Sequence, residues 1–234
     1  MKNCILIIMN LLFFYTSFSQ SKVVLFSDEI KKHITKLNIA TEVAYKENDV
    51  TKANLLFDSI VDNYLVGTKL ENFTLKNIKG KKVKLAKINK PIFIITYSSW
   101  CVLNKAEIPA LNKIAKKYAA DFQLIVLFWN TKKEVQKISS KFGLDIKVCY
   151  ANENYVTDEK TVAVLKHYLG FPTSYFLNKN LEIVDIKRGN PQVKPKITFA
   201  KALEYSFNYF QDNLANFLLH KNVERETYVT TNNN

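Results

Sequence analysis

Ile92-Phe93-Ile94-Ile95-Thr96-Tyr97-Ser98-Ser99-Trp100-Cys101-Val102-Leu103-Asn104-Lys105-Ala106-Glu107-Ile108-Pro109 is the stretch that decides the fold. Its first six residues, introduced by Pro91, form a continuous apolar run suited to a strand buried on both faces. The chain then reads W-C-x-x-N-x-x-E-x-P and passes into a helical pattern over 106–118, with Ile108, Leu111, Ile114 and Ala115 on one face. A dithiol site of the C-x-x-C type would carry its second thiol at position 104, where this chain has Asn104. A single cysteine can attack, be oxidised or form a mixed disulfide. It cannot resolve that mixed disulfide from within its own motif.

Working outward, Phe73-Thr74-Leu75 and Val83-Lys84-Leu85 flank a turn at 77–81 and predict a β-hairpin. Residues 122–128 predict a second buried strand, 132–142 a helix ended by Gly143, and 146–150 a short strand. A helix over 161–169, ended by Gly170, precedes a hairpin of 174–177 and 181–186 across Asn178-Lys179-Asn180. Buried strands alternating with helices predict an α/β sheet covered on both faces. Ahead of it, 28–64 reads as helical and breaks at Asn48-Asp49, which caps a second helix. Behind it, Leu203, Phe207, Phe210, Leu214 and Phe217 form a narrow seam at 4-3-4-3 spacing. Two uses stand for that seam: packing against the N-terminal helices, or a homodimer through 203–217.

The N-terminus has the form of a secretory signal. Lys2 precedes an apolar run from Ile5 to Phe14, interrupted by Asn10, and Ser17-Phe18-Ser19 places cleavage before Gln20. Cys4 lies ahead of the apolar run, so a lipid anchor is not expected. The expected organisation is a signal peptide at 1–19, a helical region at 20–65, an α/β domain at 66–220 and a polar tail at 221–234. Export into a periplasmic or other extracytoplasmic, oxidising compartment leaves Cys101 and Cys149 in the mature chain. The net charge is +13, but only two of the 34 basic residues are arginine, Arg188 and Arg225. Scattered lysine describes a solvated surface with weak attraction to an anionic membrane, and no nucleic-acid reader is expected. His33, His167 and His220 are far apart and lack ligand spacing, and five glycines form no phosphate loop, so neither metal nor cofactor is expected.

Four features in order carry a family resemblance. They are Val66-Gly67 with Phe73-Thr74-Leu75 and Gly80-Lys81; Trp100-Cys101 at the end of a buried strand; Glu107-Ile108-Pro109; and Gly170-Phe171-Pro172-Thr173 followed by Tyr175-Phe176-Leu177. Through them, Val66 to about Lys187 resembles the extracytoplasmic thioredoxin-like (redoxin) proteins of the TlpA and ResA type. The resemblance implies a thioredoxin-like fold with a central mixed sheet and helices on both faces, here with a helical N-terminal appendage. It implies thiol–disulfide oxidoreductase activity centred on Cys101, with Glu107 moving protons beneath the active cysteines. It also implies a cis-proline at Pro172 facing Cys101, with Trp100 and Phe171 shaping a groove for substrate. The partners it implies are thiol- or disulfide-bearing proteins and an external thiol reductant.

Physical expectations follow for the same positions. Cys101 in the first turn of the helix would be held as a thiolate by unpaired N–H groups and the helix dipole. The Asn104 amide could donate to that thiolate. Pro109, inside the helix, reads as a kink. Cys149 is expected on an edge strand, remote from Cys101, since a disulfide needs Cα atoms within about 7 Å. The leading function is monothiol exchange through Cys101. A redox-inactive binding module using the same groove is the alternative. A thiol peroxidase comes third: Ser98 fits P-x-x-x-[T/S]-x-x-C, but Ile94 occupies the proline position, and Arg188 is the only arginine in the α/β domain.

Overall fold

The computed structural model describes residues 23–98, 101, 104–166, 169, 172–215 and 217–219. The expected signal peptide, Trp100, Gly170, Phe171 and the polar tail lie outside the described residues. The strands are β1 (Thr74–Asn77), β2 (Lys82–Lys84), β3 (Ile92–Tyr97), β4 (Gln123–Phe128), β5 (Ile146–Tyr150), β6 (Thr173–Leu177) and β7 (Ile183–Arg188). The helices are α1 (Phe26–Lys46), α2 (Val50–Ile60), α3 (Glu107–Lys117), α4 (Lys132–Ser139), α5 (Glu159–Leu165) and α6 (Phe199–Asn213).

One seven-stranded mixed sheet runs β2-β1-β5-β4-β3-β6-β7. Strands β3, β4 and β5 are parallel, while β6, β7 and the β1–β2 hairpin are antiparallel to their neighbours. All six side chains of β3 are buried, as its unbroken apolar run predicts. Alternate residues of that run serve different cores. Ile92 and Ile94 join a core with Phe26 and Ile30 of α1, Phe57 of α2 and Leu165 of α5. Phe93, Ile95 and Tyr97 join a core with Leu111 and Ile114 of α3, Phe210 of α6 and Leu214 just beyond it. Helices therefore cover both faces of the sheet, which is the thioredoxin-like α/β arrangement with a helical N-terminal appendage.

The appendage is tied to the sheet through its backbone. Phe26 N–H donates to the Lys69 carbonyl at 2.9 Å, and Gly67 N–H, at φ +83°, donates to the Ile183 carbonyl at 2.8 Å. Asn48 takes a positive φ of 59° at the break between α1 and α2, and the Asp49 carboxylate caps α2 by accepting from Lys52 N–H at 2.8 Å.

Four expectations are corrected. The C-terminal seam packs on the face opposite the N-terminal helices: Phe210, Leu214 and Phe217 are buried against the α3 side of the sheet. Cys149 is not on an edge strand, because β1 pairs with β5 on the side away from β4 and encloses it. Pro109 makes no kink; it is the third residue of α3, where a missing N–H breaks no intrahelical bond. Finally, α3 begins at Glu107, so Cys101 precedes the helix by six residues instead of sitting in its first turn.

Candidate active site

Cys101 stands four residues after the end of β3, half-buried, at the rim of the α3 and α6 side of the sheet. A short turn holds it: Cys101 N–H donates to the Ser98 carbonyl at 2.9 Å, and Ser98 N–H donates back to Cys101 Sγ at 3.3 Å. Burial is the main influence on the thiol and pushes its pKa up. The Ser98 N–H pulls it down, and the nearby Glu107 charge pushes it up again. The sequence had suggested a depressed value. A helix dipole acts within its first turn, and Cys101 lies outside that turn.

Glu107 opens α3 and is completely buried. Tyr97, the last residue of β3, donates its hydroxyl to Glu107 Oε1 at 2.6 Å, and Asn190 Nδ2 donates to Oε2 at 3.4 Å. Burial raises the carboxyl pKa, while the Tyr97 and Asn190 hydrogen bonds partly offset that. Tyr97 is itself wholly buried, and its hydroxyl pKa is driven well above the usual value by burial and by Glu107. The pair thus forms a buried protonatable unit under the cysteine turn. An ordinary solvated helix residue is not what position 107 holds.

Asn104 does not donate to the thiol. Its Oδ1 accepts from Ala106 N–H at 2.9 Å, and its carbonyl accepts from Glu107 N–H at 3.1 Å, so it shapes the entry into α3. Its Nδ2 donates to the Pro191 carbonyl at 3.3 Å and to Ser206 Oγ of α6 at 3.4 Å. Where a second thiol would resolve disulfides, this chain has a side chain that joins the entry into α3, the 189–191 loop and α6.

Pro172 is buried just before β6, and its carbonyl accepts from Gly189 N–H at 2.9 Å. Trp100 and Phe171, the other expected groove residues, lie outside the described residues. Sequence reading missed Tyr97, Asn190 and Ser206. Only Tyr97 carried a signal: strand alternation puts it on the side of Phe93 and Ile95, towards α3.

Cys149 belongs to the other core and is fully buried, with its thiol pKa pushed to about 12 by burial. It therefore faces away from Cys101, across the sheet. In the native protein Cys149 is expected to resist iodoacetamide and to react only in denaturant, as peptide mapping would read. Native labelling of Cys149 would contradict the packing. Arg188 is also spoken for: its guanidinium lies 3.9 Å from the centre of the Phe57 ring, against α2.

Two cavities are relevant. One of about 200 Å³ is lined by Ser98, Cys101, Phe128, Asn130, Glu134, Val135 and Ile138. A larger groove of about 780 Å³ runs beneath the β1–β2 hairpin, with Lys79, Lys81, Lys82, Lys84, Lys87 and Lys147 along it, and does not reach Cys101. Its size alone gives it no claim to the chemistry. Among the described residues no group of three or more His, Cys, Asp or Glu could hold a metal ion, and no helix is long and apolar enough to cross a membrane.

The family described as AhpC/TSA matches residues 66–186. The thioredoxin-like protein YneN of Bacillus subtilis is 23% identical over 128 residues, covering 53% of this chain and 71% of that protein. The thiol-disulfide oxidoreductase ResA of Bacillus thuringiensis is 24% identical over 123 residues, covering 51% of this chain and 68% of that one. Among solved structures, the pneumococcal exposed lipoprotein thioredoxin of Streptococcus pneumoniae aligns with a TM-score of 0.43 at 18% identity, covering 57% of this chain and 98% of that one. StoA from Bacillus subtilis aligns with a TM-score of 0.39 at 20% identity, covering 57% and 94%.

Proposed function

The chain belongs to the AhpC/TSA family, and from that premise we propose that it carries out thiol–disulfide exchange through Cys101 alone. The observation that carries this reading is the pairing of a half-exposed thiol with a buried protonatable Glu107–Tyr97 unit, with the other described thiol shut away across the sheet. A thiol of raised pKa is a stronger nucleophile once ionised and a poorer leaving group afterwards. Captured partners would therefore persist as mixed disulfides until an external thiol released them. Glu107 would take up the thiol proton and return it on release. The substrates would be thiol- or disulfide-bearing proteins. Trp100, Phe171 and a cis Pro172 would line their groove, in the manner of the family resemblance.

The names of the relatives support an oxidoreductase role. The form of the first 19 residues supports export to an extracytoplasmic compartment, with 20–65 as a helical region and 66–220 as the functional domain. The lysine-bordered groove and the +13 charge favour peripheral contact with an anionic membrane. A homodimer through 203–217 has less to recommend it, because Phe210, Leu214 and Phe217 are already buried within the chain.

The raised Cys101 pKa and the structural engagement of Asn104 favour a second reading, a binding module that has given up redox chemistry. The peroxidase reading lacks an arginine near the thiol among the described residues, since Arg188 packs on Phe57. Reaction with 5,5′-dithiobis(2-nitrobenzoic acid) separates the first two. Release of thionitrobenzoate from Cys101 is expected to speed up with pH through a midpoint above the ordinary cysteine value of about 8.5, and the burst is expected to vanish in Cys101→Ser. No adduct on Cys101 at any pH up to about 10, with partner binding unchanged in Cys101→Ser, would leave the binding module as the function.

A further inference from the structure

The small cavity beside Cys101 has a definite chemical character. Phe128, Val135 and Ile138 give it apolar walls, and among the described residues its polar groups other than the cysteine turn are Asn130 and Glu134. Asn130 is 6% exposed. Its Nδ2 donates to Glu134 Oε2 at 3.4 Å, while its Oδ1 is buried without a hydrogen-bond partner among the described residues. A buried acceptor left unmatched costs free energy unless something donates to it. Glu134 is held ionised because Thr131 donates to Oε2 through both its hydroxyl, at 2.7 Å, and its N–H, at 2.8 Å. Asn130 and Glu134 thus give the cavity's lining a residue with an unmatched buried acceptor and a carboxylate, with no basic side chain among the described lining residues. Its volume equals roughly six or seven water molecules of liquid, room for a thiol of a few heavy atoms.

We propose that this cavity is a subsite for a small aminothiol, a thiol carrying a protonated amine, and that Cys101 removes such thiols from protein cysteines capped by them. The proposal rests on the exchange reading above and names its substrate class. The Cys101 thiolate attacks the aminothiol sulfur of the capped protein, whose own sulfur leaves as a thiolate and takes up a proton. The aminothiol is now bonded to Cys101, with its ammonium on Asn130 Oδ1 and the Glu134 carboxylate. A second aminothiol then attacks the first at sulfur. The symmetrical disulfide leaves and the Cys101 thiolate is regenerated. One disulfide is reduced and one is formed, so no second protein cysteine is needed. That matches a site in which position 104 is an asparagine.

The test measures adduct formation on Cys101 in the purified protein by mass spectrometry. The probes are cystamine, bis(2-hydroxyethyl) disulfide and glutathione disulfide, with methyl methanethiosulfonate reporting bare thiol reactivity. Each ratio of rates is divided by the same ratio on an unstructured cysteine peptide, which removes the intrinsic advantage of a cationic disulfide. Cystamine is expected to exceed the hydroxyethyl reagent by about tenfold after that correction, and glutathione disulfide to be the slowest. Asn130→Ala and Glu134→Gln are expected to bring the corrected ratio close to one. Ile138→Phe, which fills the cavity, should slow cystamine without slowing methyl methanethiosulfonate. A corrected ratio near one in the unsubstituted protein, with normal methyl methanethiosulfonate reactivity, overturns the subsite and leaves exchange intact. Failure of Cys101 to react with methyl methanethiosulfonate overturns both.

Discussion

Phe210→Ala should lower the unfolding free energy by about 3–5 kcal/mol, the usual cost of removing a buried phenyl ring. Domains of this kind hold only about 5–15 kcal/mol in total, so the variant would be near the limit of folding at 37 °C. The size follows from where the ring sits. Phe210 is 1% exposed and belongs to the core shared by Phe93 and Phe176 of the sheet and Leu111 of α3. The aromatic cluster there is dense: the Phe93 and Phe176 rings stack at 4.7 Å, and Phe217 lies 5.4 Å from Phe176 and 5.7 Å from Phe122. A close-packed interior relaxes only partly into the void left by the ring, so most of the cost remains. Tyr205→Ala, on the same helix but 49% exposed, should change stability by no more than about 0.5 kcal/mol. Urea unfolding of the two variants gives the comparison. A loss below about 1 kcal/mol for Phe210→Ala, together with a change in oligomeric state, would mean that the seam serves a second copy of the chain.

The seam also shows what periodicity can and cannot say. The 4-3-4-3 spacing of Leu203 to Phe217 marks a helix with one apolar stripe, and α6 is that helix. Spacing carries no information about which face of the sheet receives the stripe. That is settled by side-chain volume across the sheet, where Phe93 and Phe176 offer a complementary surface. The β-strands were easier to read, because an apolar run such as Ile92–Tyr97 has few other uses in an α/β chain. Cys149 was misplaced for a topological reason: nothing local in the hairpin at 74–84 says that it pairs with the strand at 146–150.

At the site, sequence located Cys101, Asn104 and Glu107 and misjudged their electrostatics. The thiol was expected to be acidic because the helix was expected to start earlier. The start is fixed by Asn104, whose side chain accepts from Ala106 N–H and delays the first helical turn to Glu107. Asn130 could not have been found from sequence, since its interest lies in an oxygen left without a partner.

Glu107→Gln separates the two roles that the carboxyl combines. Burial raises its pKa in the folded protein. A carboxyl whose folded pKa exceeds its unfolded value, about 4.3, adds stability below that unfolded value, and the contribution is lost as pH rises through the folded pKa. Glutamine is neutral throughout. The variant should therefore match the parent below about pH 4 and become progressively more stable than it towards neutral and alkaline pH. The Tyr97 hydroxyl can still donate to the amide oxygen, so the hydrogen bond is kept. The same substitution removes a charge that raises the Cys101 pKa, while burial, the larger cause, stays. Capture of a disulfide by Cys101 at pH 7.5 should then accelerate by about three- to tenfold, the gain in thiolate outweighing its lower nucleophilicity. Release by an external thiol should still slow, because loss of the group that returns the proton outweighs the better leaving group that a lower Cys101 pKa makes. Faster capture with slower release is the signature of a charge that also carries a proton. Stopped-flow capture and mass-resolved release supply both rates. If both rates fall together, proton uptake by Glu107 limits capture and its charge has no separate effect on Cys101.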